Sequence, residues 1–277
     1  MSSINVNLRV STLPHWNDCP RRGSTRLFRK LIKEIGYTLR DERRNVSAAV
    51  GTGAHAGAHH ILLLKQKGLV TKVSDSIEIG IVKFKQEAEK GLEYDGTTAN
   101  RNEAEHQIGT ITKAYYQEIA PQIEPIDMEV PLKAKIPNND MILTLSGHPD
   151  VIELKKIRDT KTGRSVHQYP AQLGGYHMLA GPINATWYDR LIIDWLPRVP
   201  VKKPYPGAQT FEMPVKTCIA EAKAVIMAIK NQTTDFLDRK TPMSFPANPS
   251  SILCSEKYCL AYGTDYCEVS NIFNRKD

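Results

Sequence analysis

The chain has 277 residues, 41% of them hydrophobic and 24% charged, which excludes a disordered or fibrous protein and supplies material for a sizeable core. Its 37 Lys and Arg outnumber 30 Asp and Glu; the net charge of +7 and a pI of about 9.1 favour an acidic partner, nucleic acid first. No apolar run is long enough to span a bilayer, and Met1 to Val10 lacks the apolar core of a secretory leader, so a cytoplasmic protein with no membrane partner is expected.

An extended piece, Arg9 to Leu13, precedes a basic helix predicted to run to Ile35, with Pro20 in its first turn and Asp18 as its cap. Arg21, Arg22, Arg26, Arg29 and Lys30 then make a basic surface, either a solvated helix face or a phosphate-contacting one. Residues 47–67, rich in Ala and Leu, predict a helix stopped by Gly68, whose small residues suit a closely packed neighbour. His55 and His59 lie one turn apart on it, a spacing that serves chelation or plain structure. Residues 74–119 read as polar helix interrupted between Gly91 and Thr98, with Glu103 and Glu105 as solvated charges. From Ile126 the period becomes two: strands are predicted over 127–136, 141–147, 150–155 and 157–161, the first two joined by a turn at Asn138-Asn139-Asp140. A helix over 168–180, a strand over 187–196, a Pro-rich loop or edge hairpin over 197–213 and an amphipathic helix over 214–237, with Pro214 in its first turn, follow. The tail from 238 is loop-like.

The chemistry concentrates in Ser146 to Gly163. Residues two apart on a strand share a face, so Asp159 and Lys161 point one way and Thr160 the other. If the two short runs pair as a hairpin through Lys155 and Lys156, Asp150 reaches the same face. Two carboxylates would then hold a hard cation such as Mg²⁺ while the ammonium steadies a charged oxygen or an attacking water. A solvated face with a surface ion pair would use the same residue types.

Cys254, Cys259 and Cys267 stand close together in the tail, and Cys19 lies far upstream. Four thiolates suit tetrahedral Zn²⁺ or an iron–sulfur cluster; buried thiols are the alternative. Such a clasp would close nearly the whole chain and hold both ends against the core. Cys218, in a helical run, reads as a core thiol.

Pro149-Asp150 followed by Asp159-Thr160-Lys161 resembles the PD-(D/E)XK nuclease motif. The chain as a whole resembles the RecB-like branch of that superfamily, in the iron–sulfur form shared with CRISPR-associated exonucleases and AddB nuclease domains. Cys19-Pro20-Arg21-Arg22 resembles the group's first cysteine, Gly51 to His55 its G-x-x-x-H element, Gln172 to Tyr176 its Q-x-x-x-Y helix, and Cys254 to Cys267 its terminal cluster-binding segment. Residues 70–125 match none of its motifs.

The resemblance implies an α/β, restriction-endonuclease-like core over about 126–237, with a central mixed sheet flanked by helices. A helical region over about 20–120 and a tail, 238–277, tied to Cys19 would complete a single domain. It implies His55, Asp150, Asp159 and the Thr160 carbonyl as ligands of Mg²⁺ or Mn²⁺, with Lys161, Gln172 and Tyr176 acting beside them. It also implies a 4Fe-4S cluster, alternatively Zn²⁺, on Cys19, Cys254, Cys259 and Cys267. The expected activity is metal-dependent exonuclease cleavage of DNA, single-stranded or at ends, in recombination, repair or phage DNA processing, with a helicase or recombination protein as partner. The competing class is a non-catalytic nucleic-acid-binding module built round a zinc or iron–sulfur structural site.

Overall fold

The structure is a computed structural model and describes residues 4–136, 141–166 and 169–268. The chain is an α/β protein with mixed β-sheets flanked by helices. It opens with strand β1 (Ile4–Arg9), a 3₁₀ turn, and three short helices, α1 (Leu13–Asp18), α2 (Pro20–Leu27) and α3 (Arg29–Glu34). Three longer helices follow: α4 (Val46–Gln66), α5 (Val73–Ala88) and α6 (Arg101–Ala114). Strands β2 (Asp127–Met128), β3 (Leu132–Ile136), β4 (Met141–Gly147), β5 (Val151–Glu153) and β6 (Lys156–Gly163) lead to helix α7 (Pro170–Ile183). Strands β7 (Arg190–Pro197) and β8 (Gln209–Met213), helix α8 (Val215–Arg239) and an irregular tail complete the chain. No helix among the described residues is long and apolar enough to cross a membrane.

Two sheets carry the strands. One has the order β1-β4-β3, with β1 parallel to β4; the other has the order β2-β5-β6-β7-β8, with β6 and β7 parallel and the remaining pairs antiparallel. Parallel β6 and β7 need a crossover, and α7 supplies it. One apolar cluster joins β1, β4, α7 and α8 with the tail; another fills the space between α4, α5 and α6.

The long helices begin and end for local reasons. Asn45 caps α4 by accepting from the Ala48 amide at 2.9 Å, and Gly68 closes it with a φ of +67°. The small residues of α4 do bring a neighbour close: a Cβ on Gly53 would lie 2.7 Å from the Gly80 carbonyl oxygen of α5. Between α7 and α8 the approach is closer still, since a Cβ on Gly174 would fall 1.9 Å from the carbonyl oxygen of Cys218. Cys218 itself is fully buried, as a core thiol should be.

Several expectations are corrected. Arg9 to Leu13 is not extended: β1 ends at Arg9, the next three residues form the 3₁₀ turn and Leu13 begins α1. The basic helix to Ile35 is broken at Phe28, where the backbone leaves the helical region. Asp18 does not cap α2. Its carboxylate instead pairs with Arg22 at 2.7 Å and accepts from the Ser251 hydroxyl. Arg21 and Arg22 are not surface cations but are buried, because the tail covers them and uses them as donors; Arg26 and Lys30 stay exposed. The strand expected over 127–136 is two strands in different sheets, since Glu129 takes a φ of +48° and Pro131 follows. Glu103 is not simply solvated: it accepts from the Ala99 amide at 2.8 Å, while Glu105 pairs with Arg101. Pro214 stands at the N-cap of α8 rather than inside its first turn. Of 197–213, expected as a Pro-rich loop or edge hairpin, residues 198–208 are loop and Gln209–Met213 form the edge strand β8, which pairs antiparallel with β7. The turn at Asn138-Asn139-Asp140 and the helix start at Gln168 lie outside the described residues.

Candidate active site and cysteine centre

The hairpin of β5 and β6 turns at Leu154 and Lys155, the latter with a φ of +59°, and pairs Val151 with Arg158. Asp150, just before β5, therefore sits beside Thr160, whose backbone N–H donates to Asp150 Oδ2 at 2.5 Å. Along β6 the side chains alternate. Arg158 is buried on one face in an ion network, donating to Glu153 Oε1 at 2.6 Å and to both oxygens of Asp194 at 3.0 Å. Asp159 and Lys161 share the other face, with Lys161 Nζ 2.6 Å from Asp159 Oδ2.

Two helices complete the site. His55 of α4 brings Nδ1 to 3.5 Å from Asp150 Oδ2. Gln172 of α7 donates through Nε2 to Asp159 Oδ1 at 3.1 Å and to the Tyr176 hydroxyl at 3.0 Å. The fold thus brings Asp150, Asp159, Lys161, His55, Gln172 and Tyr176 into one neighbourhood. His59 faces Glu129 instead, at 3.8 Å. Sequence reasoning missed Tyr169, over whose ring Lys161 Nζ stands 4.9 Å from the centroid. The available signal was an aromatic directly ahead of Pro170, the first residue of α7. It also missed the buried Arg158 network, signalled only by a lone Asp194 inside an apolar strand.

Burial sets the electrostatics. It pushes the Asp159 carboxyl up to about 6, with the Asp150 charge adding and the Lys161 ammonium opposing. Burial acts the same way on Asp150, yet the charge and hydrogen bond of His55, the charge of Lys161 and the Thr160 N–H hold it below the ordinary carboxylate value. Burial lowers the His55 imidazole, but Asp150 outweighs this and raises it. Lys161 is likewise raised, its burial offset by Asp159 and Asp150. The Tyr176 phenol is driven far up by burial beside the two carboxylates, so it remains a donor.

The donor set suits a hard divalent cation: two carboxylates, an imidazole and a nearby backbone. Asp159 Oδ2 is buried and paired with the Lys161 ammonium at 2.6 Å, so a cation at that oxygen would share it with Lys161. Among the described residues no three His, Cys, Asp or Glu side chains stand in ligating geometry round one point; here Asp159 is turned onto Lys161 and Gln172. A cation binds the ionised carboxylate, so its affinity is expected to climb with pH through about 6. The sign follows from the raised value: the folded state prefers protonated Asp159, a stabilisation present below the ordinary carboxylate range and lost as pH rises through about 6. Thermal melts with and without Mn²⁺ at pH 5, 6 and 7 check this. The Mn²⁺-induced rise in Tm should grow across the series, and a constant rise would count against the site.

The cysteines gather at the junction of the chain ends. Cys19, Cys254, Cys259 and Cys267 line one void of about 10 Å³, and no disulfide joins them. Burial raises the Cys254 and Cys259 thiols, and each is raised further by Cys19 and Cys267. Arg22 lines the same void and keeps a buried Nη2 without a hydrogen-bond partner among the described residues, a cation suited to a thiolate-ligated centre. The surrounding contacts tie the tail down: Arg21 donates to the Phe245 carbonyl at 2.9 Å, Ser24 meets the Tyr266 hydroxyl at 2.8 Å, and the Asn248 amide reaches Cys19 Sγ at 3.4 Å.

No family model matches this sequence, and no curated protein matches it. One solved structure, "Crystal structure of SSO0001", is similar over 76% of this chain and 92% of that chain, at 14% identity and a TM-score of 0.28, too distant to bear on fold or function.

Proposed function

We propose that this chain is a Mg²⁺- or Mn²⁺-dependent DNA exonuclease of the PD-(D/E)XK type, RecB-like, acting on single-stranded DNA or DNA ends in the cytoplasm. The observation that carries the reading is the meeting of Asp150, Asp159 and Lys161 at one end of the β5–β6 hairpin, with His55 against Asp150. Asp150, Asp159, His55 and the Thr160 carbonyl would hold the cation, which when bound supplies a polarised phosphate and a readily ionised water. Lys161 orients that water and offsets charge growing on the phosphoryl oxygens. Gln172 fixes the Asp159 carboxylate and the Tyr176 hydroxyl in one hydrogen-bonded row. Basic residues around the site hold the strand, so binding should weaken steeply with salt. A helicase or recombination protein would supply the ends.

The four thiols round one void support a 4Fe-4S cluster as the clasp between the termini. Zinc is the second reading, since four thiolates are also a tetrahedral Zn²⁺ ligand set. Iron, acid-labile sulfide and zinc measured on anaerobically purified protein separate the two.

The test of activity is degradation of labelled single strands blocked at the 5′ or the 3′ end. Shortening from the unblocked end, present with Mg²⁺ or Mn²⁺ and absent in chelator, is expected. Retained binding with no cleavage under any divalent condition would favour the non-catalytic binding module.

A further inference from the structure

Two depressions meet at the candidate site. One, of about 1180 Å³, runs past His15, His55 and His59; the other, of about 650 Å³, runs past Arg164, Arg198 and Lys257. Both include Lys161, Tyr169 and Tyr258 in their walls, so they form one groove with Lys161 at its middle. The second arm is basic: Asp95 is its one acidic wall residue among those described, and that carboxylate is shared by Arg198 at 2.8 Å and Lys257 at 3.9 Å, two cations to one anion.

Tyr258 comes from the segment between Cys254 and Cys259, which otherwise belongs to the clasp. The residue is 39% exposed. The backbone beneath it is held by amides of Tyr258 and Cys259 that both donate to the Ser255 carbonyl, at 3.1 and 3.0 Å. Glu256 is anchored by Arg40 and by Arg43. Lys257 Nζ stands over the Tyr258 ring, 5.4 Å from its centroid, so the cation takes one face of the ring and leaves the opposite face to a base. Ile252, 81% exposed, lines the same arm. A fixed, exposed aromatic ring next to an ammonium, in a groove leading to a phosphate-cleaving site, has the features of a stacking platform. Every base has a π-face to offer, but only an unstacked one can offer it, so such a platform selects single strands over duplex.

We propose that Tyr258 is a strand-positioning residue, on whose ring a base of a single-stranded nucleic acid stacks while Lys257 meets the adjoining phosphate. This rests on the nuclease reading and assigns its substrate form to an element of the cysteine segment, outside the acidic motifs.

The test is binding and cleavage by Tyr258→Ala, Tyr258→Phe and Tyr258→Trp in the full chain. Binding is read in chelator by anisotropy of fluorescent oligo(dT), so it needs neither cation nor turnover. Tyr258→Ala should weaken oligo(dT) binding about tenfold and raise KM to match, with kcat within about twofold. Phe and Trp should restore both, because the ring and not the hydroxyl makes the contact. Blunt duplex binding should not change. A Tyr258→Ala protein that binds oligo(dT) as the parent does, or a Phe variant as weak as Ala, overturns the proposal while leaving the nuclease reading standing. A parent protein that neither binds nor cuts any nucleic acid removes both.

Discussion

Lys161→Ala is expected to lower kcat on single-stranded DNA by about 100- to 1,000-fold while changing oligonucleotide affinity by less than about threefold. Two effects add. The variant lacks the ammonium that would steady the water and the developing charge. It also leaves Asp159 buried, at 2% exposure, without the counter-charge that now stands 2.6 Å away. Burial already pushes that carboxyl up to about 6 and Lys161 is the main opposing influence, so its removal drives Asp159 further towards the protonated form. The activity that remains should therefore rise with pH over a higher range than in the parent. Asp150→Ala should be equally inactive for a different reason, since it removes the partner of His55 and of the Thr160 N–H. The check is single-turnover cleavage across pH beside anisotropy in chelator. Cleavage by Lys161→Ala at the parent rate would withdraw Lys161 from the chemistry, and cleavage by both variants would withdraw the whole site.

The hairpin was legible because period two is a strong signal: Asp159 and Lys161 had to share a face, and a hairpin turn, expected at Lys155 and Lys156 and found at Leu154 and Lys155, lets Asp150 reach it. The helix stopped by Gly68 was equally plain, its end being written in a residue that tolerates the left-handed backbone. What the sequence hid was tertiary. Arg21 and Arg22 look like a solvated face in a basic run, and only the docking of the tail more than 200 residues later makes them buried donors to Phe245 and Ser251. β1 could not be read as a strand of the smaller sheet because its partner, β4, is supplied from far downstream in parallel register. The division of 127–136 between two sheets turns on one residue with positive φ, Glu129, which no local preference announces. Tyr258 entered the site for the same reason, through the folding of a distant segment round Lys161, whereas Tyr169 is a local neighbour brought over Lys161 by the turn into α7.

The second large effect is expected at the clasp. If the four thiols hold the proposed metal centre, Cys19→Ser should lose it and lower the stability of the chain by about 4 kcal/mol, the scale on which closing a loop of more than 100 residues restricts the unfolded chain. The loss should not be total. The tail keeps contacts that need no metal, including Arg21 to the Phe245 carbonyl and Ser24 to Tyr266, so the variant should fold with a tail that opens more readily. Proteolysis past Arg239, where α8 ends, should then run faster than in the parent, while the sheets stay protected. Cys218→Ser is the control: that residue is buried on α8 with its backbone against Gly174 of α7, does not line the void, and its replacement should leave the iron or zinc content unchanged. The measurements are iron, sulfide and zinc per chain, a urea melt, and timed proteolysis. A Cys19→Ser protein with the parent's metal content and midpoint would mean that Cys19 is a packed thiol, and that the tail is held by Arg21, Arg22 and Ser24 alone. A metal-free but equally stable variant would place the centre outside the folding balance and leave it a chemical role.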